Sequence, residues 1–313
     1  MSPNPPLRLG TRGSRLALWQ AHHVRDLVAA LGDAPAIEIV EIVTSGDLIQ
    51  DVPLSAAGGR DFFTKDIETA LLEDRIDFAV HSLKDLATQL PEGLELASVL
   101  ERADPRDALV AAPGVTMASL SEGARIGTSS LRRTAFLRAA RPDLDVTGLR
   151  GNVPTRVGKL DEGNYDAILL ATAGLERLGM GDRICERLDP DVMTPAPAQG
   201  AIGLEAREDD ERTLDVLRRL QHSVTRAETD AERALLRTLE GGCSVPIGAL
   251  ARVDGNRLTL VGRVASLDGS RVISGRRDGA VEDAVELGET LARSLAADGA
   301  DVLLDEVRAE ASA

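Results

Sequence analysis

Short apolar runs alternate with amphipathic segments through roughly the first two hundred residues, and this alternation constrains the fold more than any other feature. The apolar runs are rich in Val, Ile and Leu and have the length of buried strands, whereas the segments between them have helical periodicity. Strands separated by crossover helices are typical of α/β domains, so the pattern predicts a largely parallel sheet. Helices are predicted to begin near Ser14 and Thr64. The first predicted strands are 7–11, 37–43, 76–82 and 94–100.

A charged, proline-bearing turn at 101–108 separates these strands from a second set, and we place a domain boundary there. The second set is predicted at 108–112, 124–130, 144–149 and 165–172. A further apolar run at 201–206 indicates that the chain then crosses back into the first domain. We therefore expect a discontinuous first domain, 1–100 with 200–218, and a second domain, 105–195, flanking a cleft.

The sequence pattern changes after Gln221. A predicted helix runs into Gly241-Gly242-Cys243, and two Asp-Gly turns, at 254–256 and 268–270, then separate strand-like runs. Asp-Gly between such runs predicts β-hairpins. Together with a last helix at roughly 281–297, this predicts a smaller α+β domain over 221–313.

Composition excludes several classes of protein. The chain has 313 residues, a net charge of −15 and a pI near 4.8, which argues against a nucleic-acid partner. Its N-terminal residues, MSPNPPLRLG, do not resemble a secretory signal, and no apolar stretch approaches membrane-spanning length. We therefore expect a cytoplasmic protein with no membrane partner, whose two cysteines, Cys185 and Cys243, stay reduced.

Arginines follow three of the predicted strands at the point where a helix begins. A helix N-terminus carries partial positive charge, so an arginine in the first turn is unfavourable by a few tenths of a kcal/mol. Backbone N–H groups at helix starts and guanidinium groups both bind anions, and the repetition favours a site for carboxylates. The alternative for each arginine alone is a surface salt bridge. These arginines are Arg12, Arg132, Arg133, Arg150 and Arg156.

The strand predicted at 76–82 leads into Ser82, Lys84 and Asp85. A lysine beside a carboxylate can hold an anionic substrate next to a group that accepts protons or stabilises positive charge. The alternative is an ion pair at a helix start, with Asp85 as the cap. His81 lies within the apolar strand, where a buried core histidine is the expected structure.

Cys243 follows two glycines after a predicted helix, which places its thiol on a loop. A helix C-terminus disfavours a thiolate, so the position suits a thiol that is modified once and kept. Cys185 is interpreted as a small hydrophobic residue. The sequence has no Gly-rich phosphate loop with lysine, no zinc-ligand spacing and no G-x-S-x-G elbow.

Taken together, these motifs resemble the porphobilinogen deaminase (hydroxymethylbilane synthase) family, from about Leu7 into the C-terminal domain. The matching segments are TRGSRLALWQA, AVHSLKDL, GTSSLRR, LRGN, AILLATAGLERLG, PAPAQGAIGLE and LEGGCSVPIG, in family order. The resemblance implies two periplasmic-binding-protein-like α/β domains flanking a cleft, plus a smaller α+β C-terminal domain that carries the cofactor. It implies a transferase that condenses four porphobilinogen molecules into hydroxymethylbilane, releasing ammonia, in tetrapyrrole (haem) biosynthesis.

The resemblance also implies roles for individual residues. Asp85 matches the catalytic aspartate, and Cys243 matches the cysteine that holds one covalent dipyrromethane per chain through a thioether. The other cofactor-binding positions are Ser82, Lys84, Thr128, Ser130, Arg132, Arg133, Arg150 and Gly151. The substrate-binding positions are Arg12, Ser14, Phe63, Arg150, Arg156, Arg177 and Gln199. A monomer without a metal is expected, with porphobilinogen as its small-molecule partner.

Two departures from the family pattern stand out: Arg60-Asp61 replaces the more usual Lys-Gly, and Pro197-Ala198 replaces the more usual Val-Gly. The first lies in a long connection, 44–61, that is either a lid or a surface loop. A rival class is a solute-binding protein or ligand sensor, which would need no cysteine on a third domain. An enzymatic rival is a transferase that uses Cys243 as a nucleophile at every turnover.

Overall fold

The computed structural model describes residues 5–44, 61–240 and 245–312. The chain divides into two compact units, each built from two segments of sequence. Unit 1 comprises Met1–Arg102 and Ala201–Arg226, and unit 2 comprises Ala103–Gly200 and Ala227–Ala313. Unit 2 contains the second predicted domain and, from Ala227 onward, the third, so the division into three domains stays a prediction.

Thirteen strands and nine α-helices lie within the described residues. The strands are β1 (Leu7–Thr11), β2 (Ile37–Glu41), β3 (Phe78–Ser82), β4 (Leu94–Val99), β5 (Asp107–Ala111), β6 (Arg125–Gly127), β7 (Asp145–Thr147), β8 (Ala167–Ala171), β9 (Glu186–Arg187), β10 (Ile202–Arg207), β11 (Ile247–Asp254), β12 (Arg257–Ala265) and β13 (Val272–Ala280). The helices are α1 (Arg15–Ala30), α2 (Asp61–Leu72), α3 (Leu131–Ala140), α4 (Val153–Asp161), α5 (Thr172–Arg177), α6 (Glu211–Arg218), α7 (Ser223–Glu240), α8 (Ala284–Ala297) and α9 (Ala300–Ser312). None of the described helices is both long and apolar enough to cross a membrane.

The sheet of unit 1 has the strand order β2-β1-β3-β10-β4. Strand β1 is parallel to β2 and to β3, whereas β10 is antiparallel to both of its neighbours, β3 and β4. The prediction of a largely parallel sheet is therefore wrong for half of the pairings. A buried strand is apolar whichever way it runs, so the sequence pattern of β10 carries no information about its direction.

Unit 2 contains a second five-stranded sheet with the same mixture of directions, in the order β7-β6-β8-β5-β9. Strand β6 is parallel to β7 and β8, and β5 is antiparallel to β8 and β9. Strand β9 has only two residues and was not predicted, because such a short pairing leaves no periodic signal. In this sheet Asp107, the first residue of β5, lies opposite Ala171, the last residue of β8.

The remaining sheet of unit 2 is an antiparallel meander, β11-β12-β13, so both predicted hairpins are confirmed. Gly255 has a φ of 59° in the first turn, a conformation that glycine adopts without strain. Leucines from α7, α8 and α9 pack against strand residues such as Leu258 and Leu260 in one apolar core. The last helix, α9, was not predicted as a separate element. The α/β class of the first two hundred residues and the smaller sheet-and-helix C-terminal part agree with the predicted fold class.

Candidate functional site

Strand β3 ends at Ser82 and leads into a short 3-10 helix, Leu83–Asp85. Lys84 is half-buried and Asp85 is exposed. Within the described part of the chain, the Asp85 carboxylate makes no hydrogen bond or ion pair, so it does not act as a cap or as half of a local salt bridge. An exposed carboxylate without a partner among the described residues is able to accept a proton or to stabilise a cationic group.

Ser82 is held by Gln20, which is not among the predicted site residues. Gln20 is almost completely buried on α1, and its Nε2 donates a hydrogen bond to Ser82 Oγ at 2.8 Å. Because the Ser82 oxygen accepts this bond, its own O–H group remains available to donate elsewhere. The signal in the sequence was a polar side chain on the apolar face of α1, which otherwise buries Ala21, Val24 and Val28.

His81 is buried within β3, as its apolar surroundings predict. Its Nε2 lies 2.8 Å from Oε2 of Glu205, a fully buried residue of the antiparallel neighbour β10. This contact joins the two central strands of the sheet behind Ser82. The other oxygen of that carboxylate, Oε1, is buried without a hydrogen-bond partner.

Arg12 and Ser14 occupy the turn between β1 and α1, where the sequence predicts them. The Ser14 side chain accepts a hydrogen bond from the backbone N–H of Ala17 at 3.3 Å and so caps α1. Arg12 is half-buried and interacts with other residues of the chain. Ser14 therefore has a structural role as an N-cap in addition to its predicted role in substrate binding.

The start of α3 in unit 2 brings Thr128, Ser130 and Arg133 together. Thr128 Oγ1 accepts from the N–H of Ser130 at 3.2 Å, and Ser130 Oγ accepts from the N–H of Arg133 at 3.4 Å. Successive side-chain oxygens thus satisfy the backbone donors that a helix start leaves open.

Asp107 is the counter-charge of the two arginines in the first turn of α3. Its carboxylate has no exposed surface; Oδ2 accepts from Nη1 of Arg132 at 2.7 Å, and Oδ1 accepts from Nε and Nη2 of Arg133 at 2.9 and 2.7 Å. Burial by itself would raise the pKa of Asp107, but the charges of Arg132 and Arg133, with hydrogen bonds from Arg132 and Gln199, hold it well below its usual range. The unfavourable position of these arginines at a helix start is therefore offset inside the protein.

Arg150, Gly151 and Arg156 surround the start of α4. Gly151 has a φ of 115°, and a side chain there would meet Thr155 Cγ2 at 2.7 Å, so only glycine fits this turn. Arg156 Nε donates to the carbonyl of Gly151 at 2.6 Å, and Asn152 caps the helix through the N–H of Thr155. Arg150 is half-buried, and its carbonyl accepts from Lys159 Nζ.

Gln199 lies in the segment that leaves unit 2, and Arg177 contacts that segment. The Nε2 group of Gln199 donates to the carbonyl of Pro105 at 2.7 Å and to Asp107 Oδ1 at 3.1 Å. Arg177 Nη2 donates to the carbonyl of Gly200 at 2.7 Å, and burial lowers the pKa of Arg177 to about 10, which leaves it charged at neutral pH. The structure thus places Gln199 with Arg132 and Arg133 in one buried polar cluster.

The Pro197-Ala198 departure lies in the same segment. Ala198 has a φ of 61°, in the left-handed region that favours glycine, and its N–H donates to Glu232 Oε2 at 2.6 Å. The other oxygen of that buried carboxylate accepts from the N–H of Ala251 at 2.7 Å. A glycine would take this backbone conformation without strain, which is a physical reason for the glycine that the family resemblance implies at this position.

Three predictions concern residues that lie outside those the structure describes. They are the cofactor cysteine Cys243, the connection over 45–60 with the Arg60 departure, and the side chain of Phe63, whose backbone lies in α2. Cys185 is described: its thiol is half-buried and lies 3.3 Å from the carbonyl of Ala111.

Comparison with protein families identifies the chain. Residues 7–215 match the family model for the porphobilinogen deaminase dipyromethane cofactor binding domain, and residues 227–297 match that for the porphobilinogen deaminase C-terminal domain. A porphobilinogen deaminase from Trichlorobacter lovleyi is 51% identical over 301 residues, which are 96% of each chain. The chain belongs to the porphobilinogen deaminase family.

Part of the chain is also similar to solved structures of periplasmic proteins. The periplasmic VFT2 domain of BvgS from Bordetella pertussis is 14% identical, with a TM-score of 0.41, over 69% of this chain and 86% of that domain. A periplasmic substrate-binding protein of an ABC transporter from Coxiella burnetii is 13% identical, with a TM-score of 0.43, over 68% of this chain and 91% of its own.

Sequence reasoning missed two residues of this deaminase that contact predicted site residues, Gln20 and Asp107. Asp107 lies within the charged turn predicted at 101–108, whereas in the structure it is the first and fully buried residue of β5. No local signal distinguishes it from Asp104, three residues earlier, which pairs with Arg106 nearer the surface. Its importance follows only from the tertiary contacts with α3.

Proposed function

We propose that this chain condenses four porphobilinogen molecules through Asp85, on a dipyrromethane primer that Cys243 holds by a thioether. Membership of the porphobilinogen deaminase family supports the reaction, and the motif match supports the two residues. When bound, dipyrromethane supplies the pyrrole end from which the product is extended. Each porphobilinogen loses ammonia, so a carboxylate is needed where positive charge develops.

The exposure of Asp85 is the observation that best supports its catalytic role. Among the described residues it makes no hydrogen bond or ion pair, whereas Asp107 and Asp77 are committed to neighbouring arginines. Asp85 is thus available to hold a proton passing to the leaving amine and to stabilise a cationic pyrrole. Lys84, the preceding residue, binds a carboxylate of the cofactor. The Ser82 hydroxyl donates a hydrogen bond to the cofactor.

The proposed arginines bind the acetate and propionate groups of substrate and cofactor. Arg12 belongs to unit 1, and the other proposed arginines belong to unit 2. The donor set fits a group with several carboxylates, because guanidinium groups pair with carboxylates through two parallel hydrogen bonds. The unit 2 residues are Thr128, Ser130, Arg132, Arg133, Arg150, Gly151, Arg156, Arg177 and Gln199. Ser14 and Phe63 complete the substrate contacts of unit 1.

The chain works as a monomer in the cytoplasm. The family resemblance supports the monomer. A thioether at Cys243 requires a free thiol, and the cytoplasm keeps thiols reduced. Sedimentation analysis tests the monomeric state, and a stable dimer would contradict it.

Intact-mass measurement of the denatured protein tests the covalent assignment. We expect an adduct of dipyrromethane mass on the wild-type chain and on Cys185→Ser, and none on Cys243→Ser. The Cys185 variant is a matched control, because it removes the other cysteine of the chain. An unmodified wild-type chain that consumes porphobilinogen would refute the assignment, as would an adduct that survives in Cys243→Ser.

Replacement of Asp85 tests its catalytic role. Asp85→Asn keeps the shape and removes the charge, so we expect a correctly folded, cofactor-bearing protein whose turnover falls by about a hundredfold or more. Glu92→Gln removes another exposed carboxylate of unit 1 and should leave turnover unchanged. Near-normal porphobilinogen consumption by Asp85→Asn would exclude the proposed role.

A further inference from the structure

Asp107 lies where three segments of unit 2 meet. It begins β5, it pairs with the first turn of α3 through Arg132 and Arg133, and it accepts from Gln199 in the segment that leaves the unit. The same segment also contacts Arg132, whose Nη1 donates to the carbonyl of Thr194 at 2.7 Å. One buried carboxylate therefore joins the arginine pair to the two ends of the chain segment 103–200.

Both guanidinium groups are held by more than one partner. Arg132 Nη1 lies between Asp107 Oδ2 and the Thr194 carbonyl, each at 2.7 Å. Arg133 donates through Nε and Nη2 to Asp107 and through Nη1 to the carbonyl of Leu169 at 2.9 Å. Each side chain is only about 5% exposed, so these bonds define its orientation.

We propose that Asp107 is a positioning residue of the deaminase, which fixes the orientation of Arg132 and Arg133 for binding carboxylate groups of the cofactor. The inference rests on the proposed function, in which these arginines bind the cofactor. A guanidinium group recognises a carboxylate through planar, directed hydrogen bonds, so an orientation set before binding avoids the entropy cost of ordering the side chain on binding. Asp107 acts through the arginines and does not itself touch the ligand.

A purely structural role for Asp107 makes a different prediction. If Asp107 only neutralised buried charge, its replacement would lower the melting temperature and the fraction of active protein. The half-saturating concentration of porphobilinogen would then remain unchanged in the fraction that folds. A positioning role moves that concentration, because misoriented arginines bind carboxylates less tightly.

Asp107→Glu is the decisive variant. It keeps the counter-charge for both arginines but adds one methylene group, which displaces the carboxylate by more than an ångström, on the order of one C–C bond. Asp104→Glu is the matched control, since Asp104 lies in the same unit and pairs with Arg106 and Arg187 outside the buried cluster. Asp107→Asn, which removes the charge with little change of shape, is the second variant.

The measurement uses full-length chain produced in a host that makes no porphobilinogen. The chain is incubated with porphobilinogen at a series of concentrations, and intact mass follows adduct formation over time. For Asp107→Glu we expect a half-saturating concentration raised about tenfold, with the maximal rate within about twofold of wild type. Asp104→Glu should match wild type in both quantities.

The outcomes separate the inference from the proposed function. A folded Asp107→Glu with the wild-type half-saturating concentration overturns the positioning role. If Asp107→Asn fails to fold, Asp107→Glu alone decides, because it keeps the buried negative charge that pairs with both arginines. A wild-type chain that forms no adduct at all contradicts the proposed function instead, and is recognised before any variant is compared.

Discussion

Replacing Gly288 by alanine should destabilise the protein, although helix propensity alone predicts the reverse. Gly288 lies inside α8, where an alanine is normally worth about 1 kcal/mol in favour of the helix. A Cβ atom at this position would lie 2.2 Å from the backbone carbonyl oxygen of Ala231 and 2.8 Å from Cβ of Ala234, both on α7. Backbone cannot rotate away as a side chain can, so the two helices must move apart.

The expected change in the free energy of unfolding is the difference between the cost of overpacking and the gain in helix propensity. Overpacking a close-packed core typically costs about 1–3 kcal/mol, and contact with backbone favours the upper end of that range. After subtraction of the gain in propensity, Gly288→Ala should lower the free energy of unfolding by about 2 kcal/mol. The leucines of this core, including Leu235 on α7 and Leu291 on α8, transmit the displacement.

Gly158→Ala is the matched control, because Gly158 also lies inside a helix of unit 2, and a Cβ atom there meets nothing within 4 Å. This variant should be more stable than wild type by about 0.5–1 kcal/mol. The assay is urea unfolding followed by far-ultraviolet circular dichroism, with thermal unfolding as a second measure. Gly288→Ala at or above wild-type stability, while Gly158→Ala is stabilised, would refute the packing argument.

Two further predictions concern pH and the site. In the folded chain the pKa of Asp107 is lowered from 3.8. Below about pH 4 the carboxylate of Asp107 therefore takes up a proton only in the unfolded chain, so the free energy of unfolding decreases as the pH is lowered. Urea midpoints measured from about pH 5 to pH 3 should therefore fall less steeply for Asp107→Asn than for wild type, and equal slopes would contradict this. Gln20→Glu replaces the donor to Ser82 Oγ by an acceptor, so porphobilinogen consumption should fall about fivefold to tenfold, for a net loss of about 1 kcal/mol. Gln89→Glu is the control, because Gln89 is exposed in the same unit. The fluorescence of Trp19 during melting verifies that unit 1 remains folded. An unchanged rate of porphobilinogen consumption in Gln20→Glu would exclude a supporting role for Gln20.

Local chemistry made much of the secondary structure predictable. Strand β1 and the turn that begins α1 at Ser14 were located from an apolar run followed by a capping serine. Both hairpins of the third sheet were predicted from Asp-Gly turns. These signals act between residues close in sequence, so they can be recognised without the tertiary structure.

The candidate site was predictable as a set of motifs, but not as a set of contacts. The catalytic role of Asp85 and the thioether at Cys243 came from the family resemblance, and both stay predictions. The arginines at helix starts predicted a bound anion when only the sequence was considered. In the structure Asp107 already supplies a counter-charge for Arg132 and Arg133, from a strand that begins 25 residues before Arg132.

The sequence by itself determined where apolar segments, caps and turns lie, and which family the motifs resemble, because each of these depends on neighbouring residues. Only the tertiary structure decided the direction of β10, the burial of Asp107 and the close approach of α7 to Gly288. Those features arise between residues distant in the chain, where an aspartate or a glycine has the same local sequence signal whether it is buried or exposed. Burial then sets the consequence, since a carboxylate without water needs its arginines and a backbone in van der Waals contact leaves no room for a methyl group.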